Sequence, residues 1–212
     1  MAKKKSVYFC QNCGAESSKW IGRCPACGEW NTYVEEVISK KIETSYLPDK
    51  KQRTKPSRLK DIDVEQTIRI KTDDEEFNRV LGGGIVPGSL ILIGGEPGIG
   101  KSTLVLQLVM NMTNIKSLYI SGEESNQQIR LRAERLGDFS KSECLIHTET
   151  QLEAILNIAS QETPSLLLID SIQTLHSERI ESSPGSVSQV RHCAAELLKF
   201  SKQSNVPVVI IG

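Results

Sequence analysis

No apolar run in this chain approaches the roughly 18 residues that a membrane-spanning helix needs. These residues are therefore not expected to cross a membrane as a helix. The basic start Met1-Ala2-Lys3-Lys4-Lys5 is followed by no apolar stretch, so a secretory signal is not expected either. The chain has only three histidines, and His147, His176 and His192 show no metal-ligand spacing with one another. No net charge is present overall, with 26 lysines and arginines against 26 acids. With 38% hydrophobic and 25% charged residues over 212 positions, the composition is that of a globular protein with one or two domains. The expected location is the cytoplasm, where cysteines stay reduced and paired Cys-x-x-Cys motifs indicate metal sites.

The balanced charge hides an asymmetry. Residues 1–60 carry 13 basic against 6 acidic side chains, and the remainder carries 13 against 20. A basic front on an acidic body suits an anionic partner, though a solvated lysine-rich linker would look the same. Three segments are expected: a module over 1–37, a basic linker over 38–58, and a larger domain over 59–212. The linker expectation rests on Lys40, Lys41, Lys50, Lys51, Arg53, Lys55 and Arg58, with Pro48 and Pro56 and few apolar residues.

The first segment holds Cys10-Gln11-Asn12-Cys13 and Cys24-Pro25-Ala26-Cys27, each followed by a glycine, Gly14 and Gly28. Each Cys-x-x-Cys turn aims two thiolates at one point. Four thiolates close a tetrahedral zinc site, which is structural because no position remains for water. So short a segment has little core, and the metal would supply much of its folding free energy. The only tryptophans, Trp20 and Trp30, are expected to cap this small interior. Cys144 and Cys193 are expected to be buried small residues, not ligands.

The most informative stretch is Gly95-Glu96-Pro97-Gly98-Ile99-Gly100-Lys101-Ser102, which matches G-x-x-x-x-G-K-[ST]. The apolar run Leu90–Ile93 leads in, and a helix-patterned run beginning at Thr103 leads out. Glycines let successive N–H groups point at phosphate oxygens, and the helix N-terminus adds partial positive charge. Lys101 is expected to reach the β- and γ-phosphates of ATP, and Ser102 to ligate Mg2+. Gly95, Glu96, Pro97, Gly98, Ile99, Gly100, Lys101, Ser102 and Thr103 form the expected nucleotide cradle. Leu166-Leu167-Leu168-Ile169-Asp170 supplies the second element, a buried strand presenting an aspartate that holds magnesium through water. Glu123 and Glu124 end another strand at the same sheet edge. Glu123 is the expected water-activating base, with Glu124 as its rival. Lys101, Glu123 and Asp170 are thus the expected catalytic groups. Arg130, Arg132 and Arg135 are assigned to a solvated helix face.

Strands and helices alternate from Ser89 to Ile211, and the strands are continuous apolar runs. This predicts an α/β domain of three layers with a mostly parallel sheet. The chain stops on Gly212, directly after an apolar strand, and the expectation is that this is the front part of a longer protein.

Three stretches then carry a resemblance. They are the double cysteine knuckle, Phe77-Asn78-Arg79-Val80-Leu81-Gly82-Gly83-Gly84-Ile85-Val86-Pro87-Gly88-Ser89, and Asp170-Ser171-Ile172-Gln173-Thr174 with Pro184-Gly185-Ser186-Val187-Ser188-Gln189-Val190-Arg191. Together these resemble the RadA (Sms) family of bacterial RecA-like DNA repair ATPases. The resemblance implies a DNA-dependent ATPase of recombinational repair that processes branched intermediates and promotes branch migration. Its partners would be single-stranded or branched DNA, further copies in a hexameric ring, and a recombinase or replicative helicase. It places a DNA-facing, mobile loop at roughly His176 to Ser186. Family members continue past this point with a second DNA-facing loop, a Lys-Asn-Arg-Phe-Gly motif and a Lon-protease-like domain. The alternative is a signalling or clock-type RecA-like ATPase acting on protein. A small-molecule P-loop kinase is disfavoured by the missing lid pattern and the cysteine module.

Overall fold

The computed structural model describes residues 5–38, 58–59 and 69–212. The basic linker expected over 38–58 falls almost wholly outside the described residues. The larger part is a sheet of five strands: β4 (Leu90–Ile93), β5 (Ser117–Ser121), β6 (Cys144–Thr148), β7 (Leu166–Asp170) and β9 (Val208–Ile211). All its pairings are parallel, and the spatial order is β4-β9-β7-β5-β6. The helices between them are α2 (Lys101–Asn111), α3 (Asn126–Leu136), α4 (Leu152–Glu162) and α5 (Val187–Ser204). A short helix, α1 (Glu75–Val80), precedes β4 and is capped by Asp74, whose side chain accepts from the Phe77 N–H.

The alternation of a strand's side chains divides the core in two. Leu118, Ile120, Leu167, Ile169, Val208 and Ile210 face α4 and α5, where Ile155, Cys193, Leu197 and Phe200 meet them. Tyr119, Leu166, Leu168, Val209 and Ile211 face the other way, toward Val105, Leu106, Val109, Ile129 and Ala133 on α2 and α3. This is the expected three-layer architecture. Central strands β5, β7 and β9 are buried at every position, whereas β4 and β6 at the edges are only partly so. Cys193 is buried as expected, while Cys144 on edge strand β6 is only half-buried.

The N-terminal part is a second sheet. β1 (Lys5–Cys10) pairs antiparallel with β2 (Glu16–Ser17) and with β3 (Tyr33–Ile38). Its fourth strand comes from far along the chain: β8 (Ile180–Glu181) pairs with β3 through Val37 and Ile38. The Arg191 guanidinium on α5 also donates to the Gly14 carbonyl. Gly14 has φ +71°, and a Cβ there would lie 2.7 Å from Cγ1 of Val187. The knuckle therefore meets α5 at a place where only glycine fits.

Two expectations need correction. Trp20 and Trp30 do not cap the small interior: they are 54% and 66% exposed, flanking Gly22 on the surface. The interior there consists of Cys10, Cys24 and Tyr33, so the thiolates themselves occupy the space that indoles would have filled. Trp30 instead carries the Arg23 guanidinium, 5.8 Å above its ring.

The segment His176–Ser186 is not a free loop. Besides the β8 pairing, the buried amide of Gln189 donates to the carbonyls of Ser177, Ile180 and Ser182 and accepts from the Ser177 N–H. One side chain thus satisfies four backbone groups of this excursion.

Candidate functional site

The two knuckles are near copies. In each, the glycine N–H returns to the first cysteine's carbonyl, at 2.8 Å for Gly14 to Cys10 and 2.9 Å for Gly28 to Cys24. The turns bring the four Sγ atoms of Cys10, Cys13, Cys24 and Cys27 within 4.8 Å of one another. Two pairs cross between knuckles: Cys10 to Cys27 at 3.7 Å and Cys13 to Cys24 at 3.6 Å. Tetrahedral zinc with bonds of about 2.3 Å needs sulfurs about 3.8 Å apart, so this donor set fits the metal. Hydrogen bonding assists deprotonation at Cys24 and Cys10. At Cys13 the Ala15 backbone N–H lowers the pKa, but burial and the three neighbouring thiols outweigh it, pushing the group up to about 12. Cys24 is brought down to about 6, chiefly by the Cys27 backbone N–H, with burial opposing and the Tyr33 hydroxyl helping. Thr32 lowers Cys10 in the same way, its hydroxyl 3.1 Å from the sulfur. Metal ligation needs thiolates, so both effects act in its favour.

The second site lies at the C-terminal edge of the five-stranded sheet. The loop Gly94–Gly100 is exposed and runs from β4 into α2. Gly100 caps that helix in the left-handed region, at φ 99°, with no side-chain hydrogen bond to the first turn. An N-terminus left open by side chains, beside an exposed glycine loop, suits phosphate oxygens. Lys101 Nζ donates to the carbonyls of Gly95 and Glu96, at 2.7 and 2.9 Å, so the ammonium lies against the loop.

Asp170 ends β7 and is 9% exposed. Its Oδ1 accepts from the hydroxyl of Ser102 on α2 at 2.9 Å, although β9 separates β7 from β4, the strand that leads toward that helix. A carboxylate and a hydroxyl in contact are a hard-oxygen pair of the kind magnesium takes. Next to them, β5 runs into Gly122, Glu123 and Glu124. A Cβ on Gly122 would lie 1.9 Å from Thr174 Oγ1, so only glycine lets this turn pass the segment after β7. The two acids then part. Glu123 is exposed, and its Oε1 accepts from the Ser171 hydroxyl at 3.0 Å. Glu124 is half-buried and pairs with Arg132 Nη1 at 3.0 Å. Neither acid caps the following helix; Ser125 does, in a reciprocal capping box with Gln128.

Arg132 was expected on a solvated face, and the structure corrects this. Its side chain is only 14% exposed and its Nη2 lies 3.3 Å from the Tyr119 hydroxyl. It shares a helix face with the buried Ile129 and Ala133, which turns it toward the sheet. Arg130 does face solvent, paired with Glu134 at 2.8 Å, and Arg135 is exposed. Tyr119 was not singled out from the sequence, because a tyrosine inside an apolar strand looks like core. The signal was its hydroxyl, which must find a partner when buried; it donates to Asp170 Oδ2.

A parallel α/β sheet with a P-loop before α2 and an aspartate at the end of β7, one strand removed from β4, defines a P-loop nucleotide-binding domain. The AAA domain model matches residues 53–212, and the chain belongs to that family. Residues 8–35 match the rubredoxin metal binding domain model.

The chain is similar to curated proteins named DNA repair protein RadA. It is 49% identical to that of Streptococcus pyogenes serotype M6 over 213 residues. For Bacillus subtilis strain 168 the identity is 48% over 217 residues, and for Aquifex aeolicus strain VF5 it is 49% over 213. Each alignment covers 100% of this chain and 47% of the relative. The chain thus spans about half the length of the curated relatives it matches.

Proposed function

We propose that this chain is the ATP-binding and hydrolysing part of a DNA repair ATPase, with a structural zinc ribbon joined to it. The observation that carries the reading is the contact between Ser102 and Asp170 at the mouth of an open-capped, glycine-looped helix. The names of the relatives add DNA repair. In this reading Gly95–Thr103 cradle the phosphates, and Lys101 leaves the loop carbonyls for the β- and γ-phosphate oxygens. Ser102 and Asp170 hold magnesium, which when bound neutralises phosphate charge. Cys10, Cys13, Cys24 and Cys27 hold zinc. Segments 1–37, 38–58 and 59–212 act as ribbon, linker and ATPase domain.

Glu123 takes the proton from the attacking water. Its exposure and its hydroxyl partner leave it able to accept, whereas Glu124 is committed to a guanidinium. Single-stranded or branched DNA is the proposed nucleic acid, branch migration the proposed outcome, and a ring of copies with a recombinase or helicase the proposed assembly. A cytoplasmic site is proposed with them. No helix of the described residues is long and apolar enough to cross a membrane.

The test pairs two substitutions, measured as ATP turnover in a full-length relative and as nucleotide binding in this chain. Glu123→Gln should lower turnover by about 100-fold or more, the span of a general base, while keeping nucleotide affinity. Glu124→Gln should cost less in turnover. The reverse order would move the base to Glu124. A turnover indifferent to single-stranded DNA would favour a protein partner instead.

A further inference from the structure

Behind the Ser102–Asp170 pair lies a polar chain that none of the roles above uses. Tyr119 stands in the middle of β5 with 0% exposure, on the apolar face shared with Leu168 and Val209. Its hydroxyl donates to Asp170 Oδ2, the oxygen that Ser102 does not take. Arg132 closes the chain from α3. Nη2 lies 3.3 Å from the tyrosine oxygen and 4.0 Å from Asp170 Oδ2, and Nη1 lies 3.0 Å from Glu124 Oε1. Two carboxylates and one guanidinium therefore share a partly desolvated corner, where unpaired charge is costly.

The ring is fully buried, and its hydroxyl donates to the carboxylate. It is a fixed donor aimed at one lone pair. Asp170 cannot swing about its last bond without breaking either the Tyr119 or the Ser102 contact. A bidentate grip on a cation would have to share Oδ2 with the Tyr119 hydroxyl. The arrangement leaves Oδ1, beside the serine hydroxyl, as the oxygen on offer.

We infer that Tyr119 and Arg132 are positioning residues: Tyr119 locks the Asp170 carboxylate so that one oxygen faces the magnesium position, and Arg132 holds Tyr119 and Glu124 in place behind it. The inference rests on the proposed magnesium role of Ser102 and Asp170. Arg132 also removes Glu124 from the water side of the crevice, which leaves that side to Glu123.

The experiment titrates Mg2+ at fixed nucleotide in this 212-residue chain, reading binding of a fluorescent ATP analogue, and repeats the binding in EDTA. Tyr119→Phe deletes one hydroxyl. It should raise the Mg2+ concentration at half-saturation by about tenfold, the size of one hydrogen bond to a charged group. Affinity in EDTA should stay within about twofold of the parent, since a merely structural loss would weaken both conditions alike. Arg132→Lys keeps the charge but loses the fork, and should give a smaller rise of about threefold. Arg130→Gln, on the exposed side of the same helix, should give none.

Ser102→Ala separates the two layers of the argument. If it raises the Mg2+ requirement while Tyr119→Phe does not, the positioning role is overturned and the magnesium site stands. If neither substitution has an effect, the magnesium site itself falls. Should Tyr119→Phe fail to fold, Arg132→Lys decides in the same assay, with an unchanged Mg2+ requirement counting against the inference.

Discussion

The two sheets of this chain differ in what stands behind them. The five-stranded sheet is covered on both faces by helices and owns two apolar clusters. The four-stranded sheet has an interior of Cys10, Cys24 and Tyr33, two of which are also candidate metal ligands. In the larger sheet the ligand site sits on an edge of a core that is complete without it. In the smaller one the ligand site is the core. The same chain thus shows binding placed upon a fold and binding that makes a fold.

The strongest way to break this contrast is to remove the metal. Chelation, or Cys24→Ser, should unfold the ribbon outright, because structural zinc contributes on the order of 10 kcal/mol to such modules. The near-ultraviolet signal of Trp20 and Trp30 should collapse while nucleotide binding at the P-loop stays within about threefold. A joint loss would show that the ATPase core needs the ribbon.

Leu168→Ala strikes the other core. A fully buried leucine on β7 should cost about 3 kcal/mol and lower Tm by roughly 6–12 °C, with zinc content unchanged. Gly14→Ala tests the seam between the two. The left-handed φ and the approach of Val187 should cost about 1–2 kcal/mol and speed amide exchange in β3 and β8. Trp30→Ala should matter least, below about 1 kcal/mol by thermal melting, because the ring is exposed and touches mainly Arg23.

Much of the larger sheet was legible in the sequence. Ser117–Ser121 and Leu166–Asp170 are strands with the bounds their apolar runs predict, since a strand buried on both faces is apolar at most positions. The helices that follow Ser125 and Ser186 are capped by those side chains, which accept from the Gln128 and Gln189 N–H groups. Strand order was not legible, because periodicity describes a strand's faces and not its neighbours.

The two-residue strand β8 was illegible for a related reason: its partner lies in the N-terminal module, and nothing local marks it. The inward turn of Arg132 was readable in principle from Ile129 and Ala133 on the same helical face. It was missed because an arginine among polar neighbours looks solvated. The exposed tryptophans mislead in the opposite sense, since large apolar residues usually seek a core and this module has sulfur in its place.

The clasp between Gly14 and Arg191 spans 177 residues of chain. That separation sets an order of events during synthesis. The knuckles leave the ribosome before the helices, so the four cysteines are open to a metal while the helices are still unmade. The outer edge of β3 then waits, with unpaired N–H and C=O groups, until Ile180 and Glu181 emerge. At about 5–20 residues per second the wait lasts roughly 7–30 s. During it the nascent ribbon presents an open strand edge, the kind of surface that pairs with whatever extended chain is near. Completion of β8 and α5 closes that edge, so the last quarter of this chain finishes the fold of its beginning.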